Sequence, residues 1–456
     1  MLGGFLNGTT KTVSGAAIIL ALSFLFSRIL GIVRDRMLTG TFGAGKDLDA
    51  YMAAFRIPDF LYAFLVIWGL SAVFLPLFSE YMAQDKEKAW RFVNNMMGMY
   101  ALFLGVGSLF AALFMRQLIA FVTPGFEGAQ LETAVLLSRL MLIGPLFFAF
   151  SAITSGVLQY FQKFVAYALA PVVYNLSIIA GIVFLAPSFG VFGVAMGVVI
   201  GALLHFFIQV PTLLATGFSF RLGFSFADPQ VRKALLLSIP RTVAGVAHQL
   251  NIIIMVAFAS FLSVGSITIF TIAEHMYYFP VGVIGVSLAT AAFPLLSKAG
   301  AAMDMKSFSL TLFSSLWRVT GAALLAALLL FLLREPLFRI LYLSGGFTTE
   351  NVKLAAAVFG VFTLGIVFQS VIPLLVRAFF ALQNTIAPTV ASVSSVLFNI
   401  VLAYVFLQLG WGIFALPWAL VISGVFQCLL LSLLLFIVLK RNHVPLRGIS
   451  HSETKP

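Results

Sequence analysis

Arg28, Arg34, Asp35 and Arg56 lie inside the first two apolar stretches of this chain. A guanidinium stays charged in a low dielectric and grips phosphate through two parallel N–H bonds. Ionisable groups at membrane depth are costly, so they face a protein interior or a watery cavity and mark function by default. Three arginines so placed predict an anionic ligand handled within the bilayer. A pyrophosphate-linked lipid has the matching form, with its head in a basic cavity and its tail in the bilayer. Arg28 lies deeper than its neighbours and is expected to face a cavity; it is seven residues from Asp35 on one helical face, so partial pairing of the two is the competing reading. Arg34 and Arg36 stand near the outer end of the same stretch, where reaching to lipid headgroups is the competing reading. In the second half, Glu274 is the one acidic residue well inside an apolar run, and His275 follows it. Such a step carries protons or forms a static hydrogen-bonded pair, and both readings stand. His205 and His248 read as helix–helix contacts, and Arg139, Arg318 and Arg377 as interfacial anchors.

Other chemistries find little support. Gly40–Lys46 reads GTFGAGK, the first seven positions of a phosphate-binding loop, but Asp47 follows where a magnesium-binding hydroxyl belongs and no strand precedes it. No nucleotide is expected. The lone Cys428 excludes an internal disulfide and a cysteine-rich metal site. No cofactor and no metal are expected.

These charges need elements to hold them. The chain is 61% hydrophobic and 9% charged, with a mean hydropathy of +1.09; soluble domains carry about 25% charged residues. Runs long enough to span, about 20 residues each, recur twelve times: 13–36, 50–80, 91–116, 130–159, 164–186, 190–216, 236–262, 265–297, 307–333, 352–380, 387–408 and 412–439. With the N-terminus inside, most Lys and Arg residues fall in inside loops, from Lys86 and Lys88 to Arg232, Lys233, Lys440 and Arg447. That asymmetry places both termini in the cytoplasm and makes the +12 net charge a topology signal. Spread over separate loops, it argues against nucleic-acid binding.

The chain also repeats. PLFS at Pro76–Ser79 returns as PLLS at Pro294–Ser297, and 294 − 76 = 218. LQ at Leu158–Gln159 returns at Leu382–Gln383, and Tyr174–Asn175 is answered by Phe398–Asn399, both 224 apart. Such an offset spans six helices, an even number, so the halves share one orientation. Parallel repeats are a transporter plan with the site near the repeat interface. The expected fold is an all-α polytopic membrane protein of about twelve transmembrane helices, in two parallel six-helix repeats around a central cavity. Residues 1–216 form an N-terminal lobe, 217–235 a cytoplasmic amphipathic connector, 236–440 a C-terminal lobe and 441–456 a cytoplasmic tail. Prolines inside spans (Pro58, Pro76, Pro145, Pro280, Pro294, Pro373) either bend helices for alternating access or are ordinary membrane prolines.

SRILGIVRD at Ser27–Asp35, FGAGKDLDAYMAAFRIPDFL at Phe42–Leu61 and FLPLFSEY at Phe74–Tyr81 resemble the start of the MurJ/MviN family. FPVGVIGVSLATAAFPLLS at Phe279–Ser297 and RAFFALQNTIAPT at Arg377–Thr389 resemble it too. These are lipid II flippases of the multidrug/oligosaccharidyl-lipid/polysaccharide exporter superfamily. The resemblance implies two six-helix lobes and a transporter, not an enzyme, that moves lipid-linked peptidoglycan precursor outward across the bacterial inner membrane. It implies roles for Arg28, Arg34 and Asp49, and it sets Arg56 where the family has a basic residue. With Arg56 these form the expected substrate set; Asp35, Glu274 and His275 are the gating or coupling candidates. A monomer among membrane lipids is expected. The chain departs from the pattern at Tyr62 and His275, where the family has arginine. It departs again at Ile67–Gly69, in place of an acidic stretch, and at Met255 and Ala403, in place of sodium-binding acids; Asn399 remains. Three alternatives stay open: a flippase for another polyprenyl-diphosphate-linked glycan, a drug/cation antiporter of the same superfamily, or an integral-membrane polyprenyl-phosphate enzyme.

The repeat yields a test. Since 274 − 218 = 56, Glu274 is the counterpart of Arg56, and the opposite charges are expected to approach in one state of a transport cycle. The swap Arg56→Glu with Glu274→Arg should restore part of the activity that either single change removes, provided that Arg56 is not also essential for substrate. Strictly additive losses in the double-mutant cycle, with no disulfide between cysteines at the two positions, would exclude the pairing.

Overall fold

A chain that crosses lipid must satisfy its backbone donors and acceptors internally, which leaves helices or closed barrels. The computed structural model describes residues 13–64, 74–221, 223, 234, 246 and 249–441. Ile67–Gly69, His248, most of the 217–235 connector and the tail beyond Arg441 lie outside the described residues. The described residues are helical without a strand; one isolated bridge joins Ser344 and Phe347. Nine helices among them are long and apolar enough to cross a membrane. The first helix, of 30 residues, is about 45 Å long at 1.5 Å per residue, which is length enough to span.

The chain forms two compact units. One comprises Met1–Ile269 and Phe338–Lys353, the other Phe270–Leu337 and Leu354–Pro456. In chain order the first unit contains α1 (Val13–Phe42), α2 (Lys46–Ala54), α3 (Arg56–Tyr62), α4 (Phe74–Gln84), α5 (Lys86–Leu113), α6 (Met115–Val122), α7 (Gly128–Met141), α8 (Gly144–Tyr160), α9 (Phe164–Ala180), α10 (Ala186–Phe189), α11 (Val191–Phe207), α12 (Val210–Leu214) and α13 (Gln249–Ser260). There follow α14 (Ser266–Pro280), α15 (Ser287–Ala301), α16 (Met305–Leu332), α17 (Arg334–Tyr342), α18 (Thr349–Ala381), α19 (Ile386–Gln408) and α20 (Ala415–Arg441). The unit boundary falls within α14.

The internal repeat is visible in element lengths and caps. Asp85 caps α5 by accepting from Glu87 N at 2.8 Å, and Asp304 caps α16 by accepting from Ser307 N at 3.0 Å. Both helices run 28 residues, and 304 − 85 = 219. The Ser307 hydroxyl, 2.6 Å from Asp304, and the Ser307 amide hold the Asp304 carboxyl below the usual carboxylate range. A short helix follows each, then a 33-residue span, Gly128–Tyr160 and Thr349–Ala381. These spans end 381 − 160 = 221 residues apart, each with a glutamine at positive φ, Gln162 at 56° and Gln383 at 57°. Lys163 N and Asn384 N close the two caps on Leu158 O and Phe379 O, both at 2.9 Å. The LQ match at 224 is therefore three residues out of register with the helix ends. A π turn at Ala63–Phe64 recurs at Val281–Val286, and 281 − 63 = 218.

The stretch read as one span from residue 50 begins as two short helices, α2 and α3, meeting at Phe55. Pro58 supplies the reason. It has no N–H for the carbonyl four residues back, and Ser138 Oγ of α7 donates to that carbonyl, Ala54 O, at 2.8 Å. Small residues then bring backbones together. Along α9 and α11, a Cβ on Gly181 would stand 2.9 Å from Gly197 Cα, and Ser177 Oγ donates to Gly197 O at 2.9 Å. That seam fixes α9, which carries a central residue of the site. Around Phe78 and Phe92, α4, α5 and α8 share an aromatic core. A second core around Phe308 and Phe379 serves the other unit.

Candidate functional site

Arg34 projects from α1, which lies against α9. Its Nε and Nη2 donate to Asp35 Oδ1 at 3.0 and 2.8 Å, and Nη1 donates to Asn175 Oδ1 at 3.1 Å. Asp35 is 4% exposed; the Arg34 side chain keeps 21% of its surface. The Asn175 amide nitrogen reaches Ser27 Oγ at 3.1 Å, Ser27 O at 3.3 Å and Pro171 O at 3.1 Å. One α9 side chain thus reads two turns of α1. Tyr51 and Tyr174 stand within electrostatic reach of the guanidinium. A guanidinium has five N–H donors. Three are used, which leaves two among the described residues, the number that one bidentate anion takes.

Arg28 lies exposed on α1, six residues and about 9 Å before Arg34 along the axis. Asp35 has its neighbour Arg34 as an ion-pair partner. Arg56 opens α3, half-buried, and its Nε is a buried donor with no hydrogen-bond acceptor among the described residues. Asp59, one turn on, interacts with it electrostatically. A buried donor without an acceptor calls for an explanation, and an anionic ligand supplies one.

Asp49 is placed apart from these arginines' hydrogen bonds. It is 2% exposed and accepts from Gly265 N at 2.6 Å, Thr268 N at 2.8 Å and Thr268 Oγ1 at 2.6 Å. It is a cap supplied from α2 to the first turn of α14, whose open N–H groups and positive dipole end suit a carboxylate. Gly265 turns there at φ +92°, and a Cβ would meet Ala44 O at 2.5 Å. Arg36 caps a helix end too: its guanidinium donates to Ile340 O and Leu343 O at the C-terminus of α17. Carbonyls, in place of lipid headgroups, are its partners. Arg139 donates to Ala112 O at 3.1 Å, and Arg377 to Thr290 Oγ1 at 2.9 Å, so both reach protein acceptors. In the second unit, half-buried Glu274 lies within electrostatic reach of Tyr277 and Tyr278, while His275 is exposed. Among the described residues no cluster of three His, Cys, Asp or Glu could hold a metal ion.

Sequence reasoning did not single out Tyr51, Ser27 or Asp59, and it used Asn175 only as a repeat marker. The signal for Asn175 was present: an amide in an apolar helix needs a partner.

Nine spans long and apolar enough to cross a membrane, among the described residues, define a polytopic helical membrane protein. A solved inward-facing multidrug resistance transporter of the MATE family superposes with a TM-score of 0.79 over 94% of this chain and 98% of its own, at 13% identity, which speaks to fold alone. The family model for the lipid II flippase MurJ matches residues 38–450, and the chain belongs to that family, which makes it a transporter. A relative from Burkholderia cenocepacia, the lipid II flippase MurJ, is 30% identical over 433 residues, 92% of this chain and 82% of its own. The solved lipid II flippase MurJ in an inward closed conformation is 27% identical, with a TM-score of 0.79 over 92% of this chain and 87% of that one.

The Asp49 cap is testable on purified protein. Asp49→Ala leaves three buried donors unmatched, at about 1–3 kcal/mol each when wholly unsatisfied, so unfolding stability should fall by at least about 2 kcal/mol. Asp49→Asn keeps one accepting oxygen and should fall between. An alanine variant with the parent's thermal midpoint would rule out the cap.

Proposed function

We infer that this chain is a lipid II flippase, carrying lipid-linked peptidoglycan precursor from the inner to the outer leaflet of the bacterial cytoplasmic membrane by alternating access. It is a multi-pass transporter whose partners are the lipid-linked substrate and the surrounding lipids. The observation that carries the reading is the half-buried Arg34 guanidinium with two open donors, in a chain that matches the MurJ family over residues 38–450.

A charge at membrane depth is tolerable when paired. Asp35 neutralises Arg34 while the site is empty. An arriving diphosphate takes the open donors and competes with Asp35, which ties binding to a rearrangement of α1. Arg28 and Arg56 complete the anion site. Asp49 acts through the end of α14, where its carboxylate is held, and Glu274 with His275 serve coupling. The lobes 1–216 and 236–440, the connector 217–235, the tail 441–456, a monomeric state and cytoplasmic termini belong to the same proposal, on the strength of loop charge and the repeat.

Arg28→Ala and Arg34→Ala should abolish rescue of cells depleted of their own lipid II flippase while leaving expression intact. Each charge-assisted bond is worth roughly 1.5–3 kcal/mol, so translocation should fall about 100-fold or more. Lysine should restore only part, because it cannot bind bidentately. Labelled lipid II should emerge chemically unchanged. Wild-type rates in both alanine variants would remove the arginines from the substrate site. For topology, with Cys428 replaced, a cysteine at Ser188 should react with an impermeant thiol reagent from outside intact cells. A cysteine at position 225 should not; its labelling from outside would reverse the orientation.

A further inference from the structure

A cavity of about 260 Å³ lies wholly within the first unit, among α3, α4, α8, α9 and α11. Rings of Tyr62, Phe74 and Phe148 give it apolar faces, and no Asp, Glu, Lys or Arg side chain lines it among the described residues. One wall is polar and already ordered. His205 Nδ1 and Ser151 Oγ are hydrogen-bonded at 2.7 Å, and Ser155 Oγ donates to Gln209 Oε1 at 2.9 Å. Gln209, fully buried behind that wall, also donates to Ser151 Oγ and to His205 O. Gln159 continues the Ser151–Ser155 face of α8 by one more turn, and the Gln159 amide and the Tyr62 and Tyr167 hydroxyls, which also line the cavity, make no side-chain hydrogen bond among the described residues.

The lining selects a ligand class. A phosphate or carboxylate would find no counter-charge here, and burying an unpaired charge is prohibitive. An acyl chain would strip water from hydroxyls and an amide without replacing their hydrogen bonds, at a cost for each. A group with apolar C–H faces and several neutral hydroxyl or amide groups meets both demands, and a sugar ring is such a group. Size agrees: the volume equals that of roughly nine liquid waters, room for one substituted ring.

Position narrows it further. Tyr174 packs edge-on against Phe148 with ring centroids 5.2 Å apart, and the same Tyr174 lies within electrostatic reach of Arg34. The cavity thus reaches the arginine site through two packed rings, Phe148 on its lining and Tyr174 behind it. In a glycosyl diphosphate lipid the first sugar is bonded to the outer phosphate, so its subsite must adjoin the phosphate site. We propose that this cavity seats the first N-acetylated sugar ring of the diphosphate-linked headgroup, an assignment that rests on the flippase reading above. Tyr62 stands where the family resemblance expects an arginine, and it turns this wall from charged to neutral.

The test compares two lipids on purified protein in nanodiscs: lipid II, and polyprenyl diphosphate with the same tail and no sugar. Wild type should bind lipid II at least about tenfold more tightly, as two or three neutral hydrogen bonds would give. The double variant Gln159→Leu/Tyr167→Phe should lose about tenfold for lipid II and nothing for the sugar-free lipid. Ala152→Leu, which fills the cavity without removing a polar group, should do the same, whereas Arg34→Ala should weaken both lipids. Equal losses for the two lipids, or none, in properly folded cavity variants would overturn the subsite. If wild type flips lipid II without preferring it to the sugar-free lipid, the subsite falls and the flippase reading stands. If wild type ignores lipid II but prefers another glycosyl diphosphate lipid, and the cavity variants erase that preference, the subsite stands and the lipid II reading falls.

Discussion

A charged side chain at membrane depth needs a partner, and the first unit is arranged around that requirement at Arg34. Asp35 provides the neutralising charge, but a neighbour on the same helix cannot fix where the pair points. Asn175 does that from α9, holding the guanidinium with its oxygen and two turns of α1 with its nitrogen. α9 in turn is set by the close approach of Gly181 and Gly197 and by Ser177 on the Gly197 carbonyl. A larger residue at that seam would separate α9 from α11. Packing of small residues at one helix contact thus decides the electrostatics of another.

The helix ends obey the complementary rule that backbone groups must not go unmatched. Asp49 serves the N-terminus of α14 and Arg36 the C-terminus of α17. The Ala54 carbonyl left over by Pro58 is taken by Ser138. In each case the side chain comes from a distant part of the sequence. These residues look like site residues in a one-dimensional reading because they are polar and lie among apolar neighbours. Capping accounts for the contacts of Asp49 and Arg36. Among the described residues it leaves Arg34, with donors to spare, and Arg56, with a buried Nε lacking an acceptor, as side chains open to an anion.

The fold class was legible because lipid imposes it: span length and inside-loop charge are one-dimensional signals. The repeat was legible as short matches, yet the LQ pair misjudged the register at the ends of α8 and α18 by three residues. Helix caps mark that register better, since Gln162 and Gln383 are set by backbone conformation. Arg34 and Asp35 could be named from charge and depth. Asn175 showed only as an amide in need of a partner, and Tyr174 not at all, because what they do arises from the contact between α1 and α9. The break at Phe55 was hidden for the same reason: Pro58 announces a freed carbonyl but does not say which hydroxyl will answer it. The neutral cavity was the least legible feature. Its lining comes from five helices, and each residue taken singly reads as an ordinary aromatic, serine or glutamine.

On the proposed reading, that cavity and the arginine site would divide recognition between two kinds of physics. A guanidinium pair with a diphosphate is strong, but it cannot tell one diphosphate lipid from another, because the phosphates are the same. Neutral hydrogen bonds to hydroxyls and amides are individually weak, yet an unmatched buried group at such a site is penalised, so they discriminate well. Keeping the two apart, with the Phe148–Tyr174 ring pair between them, would let affinity and selection be set separately. It also suits a carrier that must let go. Strong binding of the whole headgroup by charge alone would hold the lipid, whereas on that reading Asp35, already bonded to Arg34 at 2.8 Å, would reclaim the guanidinium when the phosphate leaves.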